Sequence, residues 1–163
     1  MAYLRKISFW YLTLFVLFSV GHSFQAALTF SSSSDHAIFQ ANGLGSVFVV
    51  CLAAGLALDL AASYYVIRPS PVGFWVILAA LGFAATYNVL VFSLAFSDLE
   101  SAKSAYLVSR EVRGLTTRPE ATELVFSEQG MRATVGVAVF LAFSSLCALA
   151  INWSRFFRSE SDA

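Results

Sequence analysis

The chain has 163 residues, 58% of them hydrophobic and 12% charged, with a mean hydropathy of +0.73 and a formal net charge of zero. That charged share is about half the usual share of a soluble domain, so the chain cannot cover itself with polar surface in water and most of it must face lipid. The neutral balance excludes a nucleic-acid binder that works through a basic surface, and no acidic tail is present.

Four apolar runs are each long enough to cross a bilayer, which takes about 20 helical residues. The first is Ile7 to Leu28. It follows Arg5-Lys6 and ends near "FQAAL", so a signal peptide has to be weighed against it. About 22 apolar residues exceed the ~7–15 of a signal-peptide core, and the reading here is a retained span. Residues 29–43, "TFSSSSDHAIFQANG", read as a modest polar loop. The second run is Leu44 to Ile67 and the third Val72 to Phe96. The "RPSPVG" between them predicts a tight, proline-stiffened turn and antiparallel neighbours.

Residues 97–129 form the one sizeable extramembrane piece. Ser97-Asp98-Leu99-Glu100 matches a capping box, which predicts a helix running to Gly114, with Leu99, Ala102, Tyr106 and Val112 available to touch the membrane surface or the bundle. Pro119 opens a short segment, and Ser127-Glu128 caps the fourth run, Gly130 to Trp153. No run alternates with period two, and backbone groups in lipid must be satisfied within the segment. The expectation is an all-α integral membrane protein. It is a single polytopic domain over residues 1–163, a four-helix bundle with a short helical loop before the last helix.

Arg5, Lys6, Arg68, Arg155 and Arg158 fall at one end, and Lys103, Arg110, Arg113, Arg118 and Arg132 at the other. The first group lies flush against the spans in short segments, which places both termini in the cytoplasm, most simply of a plasma (inner) membrane. Trp10, Tyr11, Tyr64, Tyr65, Trp75 and Trp153 fall toward that same end as an aromatic belt. Small residues at spacing four recur in each span: Ser19, Ser23 and Ala27, then Ala53, Ala57 and Ala61 with Gly55, Asp59 and Ser63, then Ala80, Ala84 and Asn88, then Gly130, Thr134, Ala138 and Ala142. Close packing of helices in lipid relies on such positions. Two small faces on the second span predict that it sits at the bundle centre.

One carboxylate, Asp59, lies inside a span, at a cost of about 2.5–3.5 kcal/mol on insertion scales. With helix ends taken as level and a rise of ~1.5 Å per residue, His22 and Asp59 differ in depth by ~13 Å, too far for contact. Thr13, Tyr11, Ser144 and Ser145 come to the depth of Asp59 instead. Asp59 with Thr13 and Ser145 is therefore the candidate ion or proton site, weighed against a hydrogen-bonded residue that holds helices together. His22, Gln25 and Asn88 share a shallower level and form a candidate outer polar pocket.

The two histidines, His22 and His36, have no cysteine or carboxylate at ligand spacing, so no metal is expected. Bis-histidine haem would need His36 to fold back on His22, and no cofactor is expected. Cys51 and Cys147 read as small buried side chains. No P-loop, GxSxG, HExxH or CxxC occurs. The Asn152-Trp153-Ser154 glycosylation pattern abuts the membrane and is discounted. The topology is similar to tetraspan proteins in general, without the paired loop cysteines of tetraspanins and claudins. The leading expectation is a non-enzymatic accessory or interaction subunit whose partners are the bilayer and other membrane proteins or further copies of itself, with residues 97–129 as contact surface. The alternatives are a small ion- or proton-coupled transporter using Asp59 and a membrane enzyme centred on His22.

Overall fold

The structure is a computed structural model and describes residues 2–157. The protein is an all-α membrane protein built on four helices of spanning length: α1 (Ala2–Leu28), α3 (Gly45–Ile67), α4 (Pro71–Ser97) and α7 (Glu128–Ile151). Among the described residues there is no strand. Large apolar side chains point outward along every span, with Phe18 74%, Val50 67%, Val89 63% and Phe140 68% exposed. In water such a surface would be costly, and in a bilayer it is the natural lipid face.

The spans form a ring in which α1 packs on α3 and α7, and α4 packs on α3 and α7. This corrects the expectation that the second span sits at the centre. Ala53 and Ala57 are exposed, so that small face meets lipid rather than a helix. The other small face does pack: a Cβ on Gly55 would lie 3.1 Å from the Phe83 ring. The α3–α4 hairpin closes as the prolines predict, with Pro71 in the first turn of α4 and Ser70 accepting the Gly73 N–H. A Cβ on Gly73 would lie 2.7 Å from Cβ of Tyr65, so the two helices meet there at a distance that only glycine permits.

The first span begins earlier than its apolar run because Tyr3 to Lys6 continue the same helix. The fourth ends earlier, at Ile151. Asn152 turns its side-chain amide back to the Ala148 carbonyl (2.8 Å), and Trp153–Phe156 form a separate turn, α8. Arg158 lies outside the described residues.

The segment read as a loop at 29–43 is folded. A 3-10 turn at Phe30–Ser32 leads into α2 (Ser34–Ala41), whose cap Ser33 accepts the His36 N–H. Gly43, at φ +71°, stops it: Gly43 N–H bonds to Gln40 O and Leu44 N–H to Phe39 O, the paired bonds of a Schellman ending. Two apolar residues are enough to dock it. Ile38 and Phe39 are buried, and Phe39 packs on Phe48 of α3 and stacks on Tyr87 of α4.

The next helix, α5 (Leu99–Val112), starts and stops near the predicted points. Its cap is Asp98 rather than Ser97, which is still the last residue of α4; Asp98 accepts both the N–H and the hydroxyl of Ser101. Gly114, at φ +66°, closes α5 with the same pair of bonds, to Glu111 O and Arg110 O. α6 (Pro119–Val125) follows. The cap thus consists of α2, α5 and α6. One core cluster lies among the spans around Leu12, Val66, Ile77 and Leu149, and a second joins the cap to them through Ile38, Ala95, Ala102 and Met131.

Candidate functional site

Asp59 lies on the face of α3 that meets α1, half-buried, and its Oδ2 accepts a hydrogen bond from the Ser23 hydroxyl at 2.6 Å. This overturns the level-ends estimate that kept the His22 region of α1 away from Asp59. On the register that this bond sets, the end of α1 at Leu28 comes opposite Ala54. The first nine residues of α3 therefore project past α1, by about 14 Å. α2 takes up that projecting length, so the ends of α1 and α3 need not be level.

The residues grouped with Asp59 go elsewhere. The Thr13 hydroxyl donates to Phe9 O, four residues back in α1. Ser145 is fully buried and, with Ser144, meets the Tyr11 hydroxyl, at 3.3 and 2.7 Å. Those hydroxyls join α1 to α7, and Asp59 joins α1 to α3. Below them, the buried Asn152 amide donates to the Ser8 hydroxyl at 2.8 Å, a second α1–α7 bond.

The outer polar group is also dispersed. Asn88 spends its amide on Ala84 O, one turn back, and is exposed. The Gln25 carbonyl takes the Thr29 N–H and hydroxyl, while the side chains of His22 and Gln25 lie on the exposed part of α1. His36 packs between aromatic rings, at 5.8 Å from Phe30 and 5.3 Å from Phe48. Cys51 and Cys147 are free and partly buried. Among the described residues no three His, Cys, Asp or Glu side chains come together as metal ligands.

A polar contact with no signature in the residue spacing lies nearer the cap. The Tyr87 hydroxyl donates to Asp35 Oδ2 at 2.9 Å and ties the first turn of α2 to α4. No family matches. No protein-family profile, curated protein or solved structure is similar enough to this chain to inform it. The chemistry of the spanning region therefore has to be read from these bonds alone. Asp59–Ser23, Tyr11–Ser144/Ser145, Asn152–Ser8 and Tyr87–Asp35 are each a pairwise fastening between elements. They do not converge on one point.

The cap differs in character. On its inner side Leu99, Ala102 and the buried Ser109 face the bundle, and Tyr106 packs on Phe126. Lys103 pairs with Glu123 and holds α5 to α6, and that partner keeps the Lys103 ammonium above its usual range. The outer side of α5 carries Val108 and Val112, 55% and 68% exposed, one helical turn apart. Leu115 follows them, and Leu124 and Val125 are bare on α6. Of the four residues expected to touch membrane or bundle, Leu99, Ala102 and Tyr106 turn inward and Val112 turns out.

Proposed function

We propose that this multi-pass membrane protein is a non-enzymatic interaction subunit that docks on another membrane protein through the outer side of its cap. The observation that carries this reading is the state of α5. The helix is capped at both ends and packed on the bundle, yet it leaves Val108 and Val112 uncovered in line with Leu115. A mobile tether would have no reason to be fastened so thoroughly. The rest of its exposed side is polar, with Glu100, Ser101, Ser104 and Glu111, so the two valines stand out as a local apolar patch. Glu111, beside Val112 on the helix, and Arg118 and Glu120, a few residues on in the chain, are exposed, and an apolar centre with polar surroundings is the usual anatomy of a protein interface.

Photo-crosslinking tests the reading. A photoreactive residue at Val112, in native membranes, should give adducts heavier than the chain. The same residue at Phe140, on the lipid face of α7, should not. Val108→Asp with Val112→Asp should abolish the adducts from a reporter at Leu115 while leaving the thermal unfolding of the purified protein unchanged. Adducts of equal yield from Phe140 and Val112, or adducts that survive the double aspartate variant, would refute the docking surface. Adducts at twice the chain mass would identify the partner as a second copy.

A coupled carboxylate is the second reading, favoured by the Asp59–Ser23 bond at a helix interface inside the spanning region. Asp59→Asn keeps a hydrogen-bonding group and removes the ionisable one. In the subunit reading it leaves cross-linking intact. In the transporter reading a pH-dependent flux in proteoliposomes is lost from a stable, inserted protein.

A further inference from the structure

The opposite end of the bundle carries a different feature. A cleft of about 290 Å³ opens where α1 passes the end of α3, lined by Phe9, Trp10, Thr13, Ile67, Pro69 and Arg155. Its apolar walls are open to the surroundings of the bundle, with Trp10 58% and Ile67 68% exposed. On the register set by Ser23 and Asp59, Thr13 comes level with Pro69 at the α3–α4 turn, and Val66 and Ile67, in the last turn of α3, line the cleft on the span side. The cleft thus crosses from the level of the aromatic belt into the apolar layer.

The one charged residue among those lining it, Arg155, is basic. Arg155 stands over the Phe9 ring, 4.2 Å from the ring centre, which fixes the guanidinium at the mouth. Arg68 lies over Tyr64 at the same end. Among the described residues this end of the bundle carries Arg5, Lys6, Arg68 and Arg155 and no aspartate or glutamate. A guanidinium held against a ring keeps its edge donors free for an anion, and it suits the oxygens of a phosphate. An occupant must therefore be anionic at the interface and aliphatic below it.

We propose that this cleft binds an anionic glycerophospholipid, with its headgroup phosphate on Arg155 and the upper part of an acyl chain against Trp10 and Ile67. A basic recess between helices at the membrane surface is a recurrent headgroup site. Trp10 supplies the reporter. In a protein with Trp75→Phe and Trp153→Phe, reconstituted into nanodiscs, brominated phosphatidylglycerol should quench Trp10 at a lower mole fraction than brominated phosphatidylcholine. The expected preference is about fivefold, the factor that one basic residue near an anionic surface contributes. Arg155→Gln should remove the preference, while Arg68→Gln, at the same end but outside the cleft, should retain it.

Should Arg155→Gln fail to fold, Thr13→Phe fills the cleft from α1 and should lower the preference with Arg155 in place. Equal quenching by the two lipids in the parent protein would overturn the proposal. So would a preference that survives Arg155→Gln and is lost only when Arg5 and Lys6 are both neutralised, because that result would describe a general basic end without a site.

Discussion

Removing the Ser23 hydroxyl should weaken the bundle through one bond alone. Ser23 reaches across from α1 to Asp59 Oδ2 at 2.6 Å, and that side-chain bond joins the two helices far from the α1–α7 bonds. Interhelical hydrogen bonds within membranes average about 0.6 kcal/mol and reach about 1.7 kcal/mol. A short bond to a carboxyl group belongs in the upper half of that range. Ser23→Ala and Asp59→Leu should therefore each cost on the order of 1 kcal/mol, and the double variant should cost less than their sum by roughly the strength of the bond. Thr13→Val and Ser145→Ala should be additive with Asp59→Leu to within about 0.5 kcal/mol, because their hydroxyls bond to Phe9 O and to Tyr11. The assay is equilibrium unfolding in mixed micelles of rising dodecyl sulfate fraction, followed by circular dichroism. Additivity of Ser23→Ala with Asp59→Leu, together with coupling of Thr13 or Ser145 to Asp59, would refute the register assigned to α1 and α3.

Gly73→Ala should cost about 1–3 kcal/mol in the same assay, since the new methyl would meet Tyr65 at 2.7 Å and the hairpin must open to admit it; Gly82→Ala, with nothing within 4 Å, is the matched control and should be neutral or mildly stabilising. The bonds from Ser101 hold the Asp98 carboxyl below its usual range. Its contribution to α5 is therefore present above the ordinary aspartate pKa and is lost as pH falls through the lowered one. The protection factors of the first-turn amides of α5, with the intrinsic pH dependence of exchange divided out, should fall on acidification in the parent protein and be flat with pH in Asp98→Asn; a parallel pH dependence in the two would remove Asp98 as the cause. Cysteines placed at Ser31 and Thr117 in a Cys51→Ser, Cys147→Ser background should label from one side of the membrane and a cysteine at Arg68 from the other, and labelling of Ser31 and Arg68 from the same side would contradict four crossings.

The spans were legible because twenty apolar residues in a row leave few alternatives, and the second and third came within a residue of their ends. Their neighbours were harder to read. Small residues mark a face that can pack, yet Ala53 and Ala57 face lipid while Gly55 meets Phe83; composition alone does not distinguish the two faces. Depth counted from level helix ends does not find the partner of Asp59, because the ends of α1 and α3 are not level. Ser23 was already visible in the spacing-four row of the first span, on a face fit to approach another helix. What displaces the level-ends estimate is α2, which reads as a loop because half of its eight residues are polar and it buries only two large side chains. The signals for it were present in Ser33, Asp35 and Gly43: a cap, an acid in the first turn and a stop. Tyr87–Asp35 depends on where α2 docks and could not be read before α2 was known to exist.

The docking of α2 imposes an order on the birth of the protein. The helix leaves the ribosome second, but the surfaces that receive Ile38 and Phe39 are Phe48, Tyr87, Ala95, Ala102 and Met131, every one of them made later. Until the chain has been extended past α5 and into α7, the apolar side of α2 has no complete seat. A nascent chain halted between the first two crossings would expose Ile38 and Phe39 to whatever lies beside the insertion machinery. Completion of the cap is thus a late event, and a chain truncated before Met131 should be recognisable to quality control by an uncovered α2 even though three of its four crossings are in place.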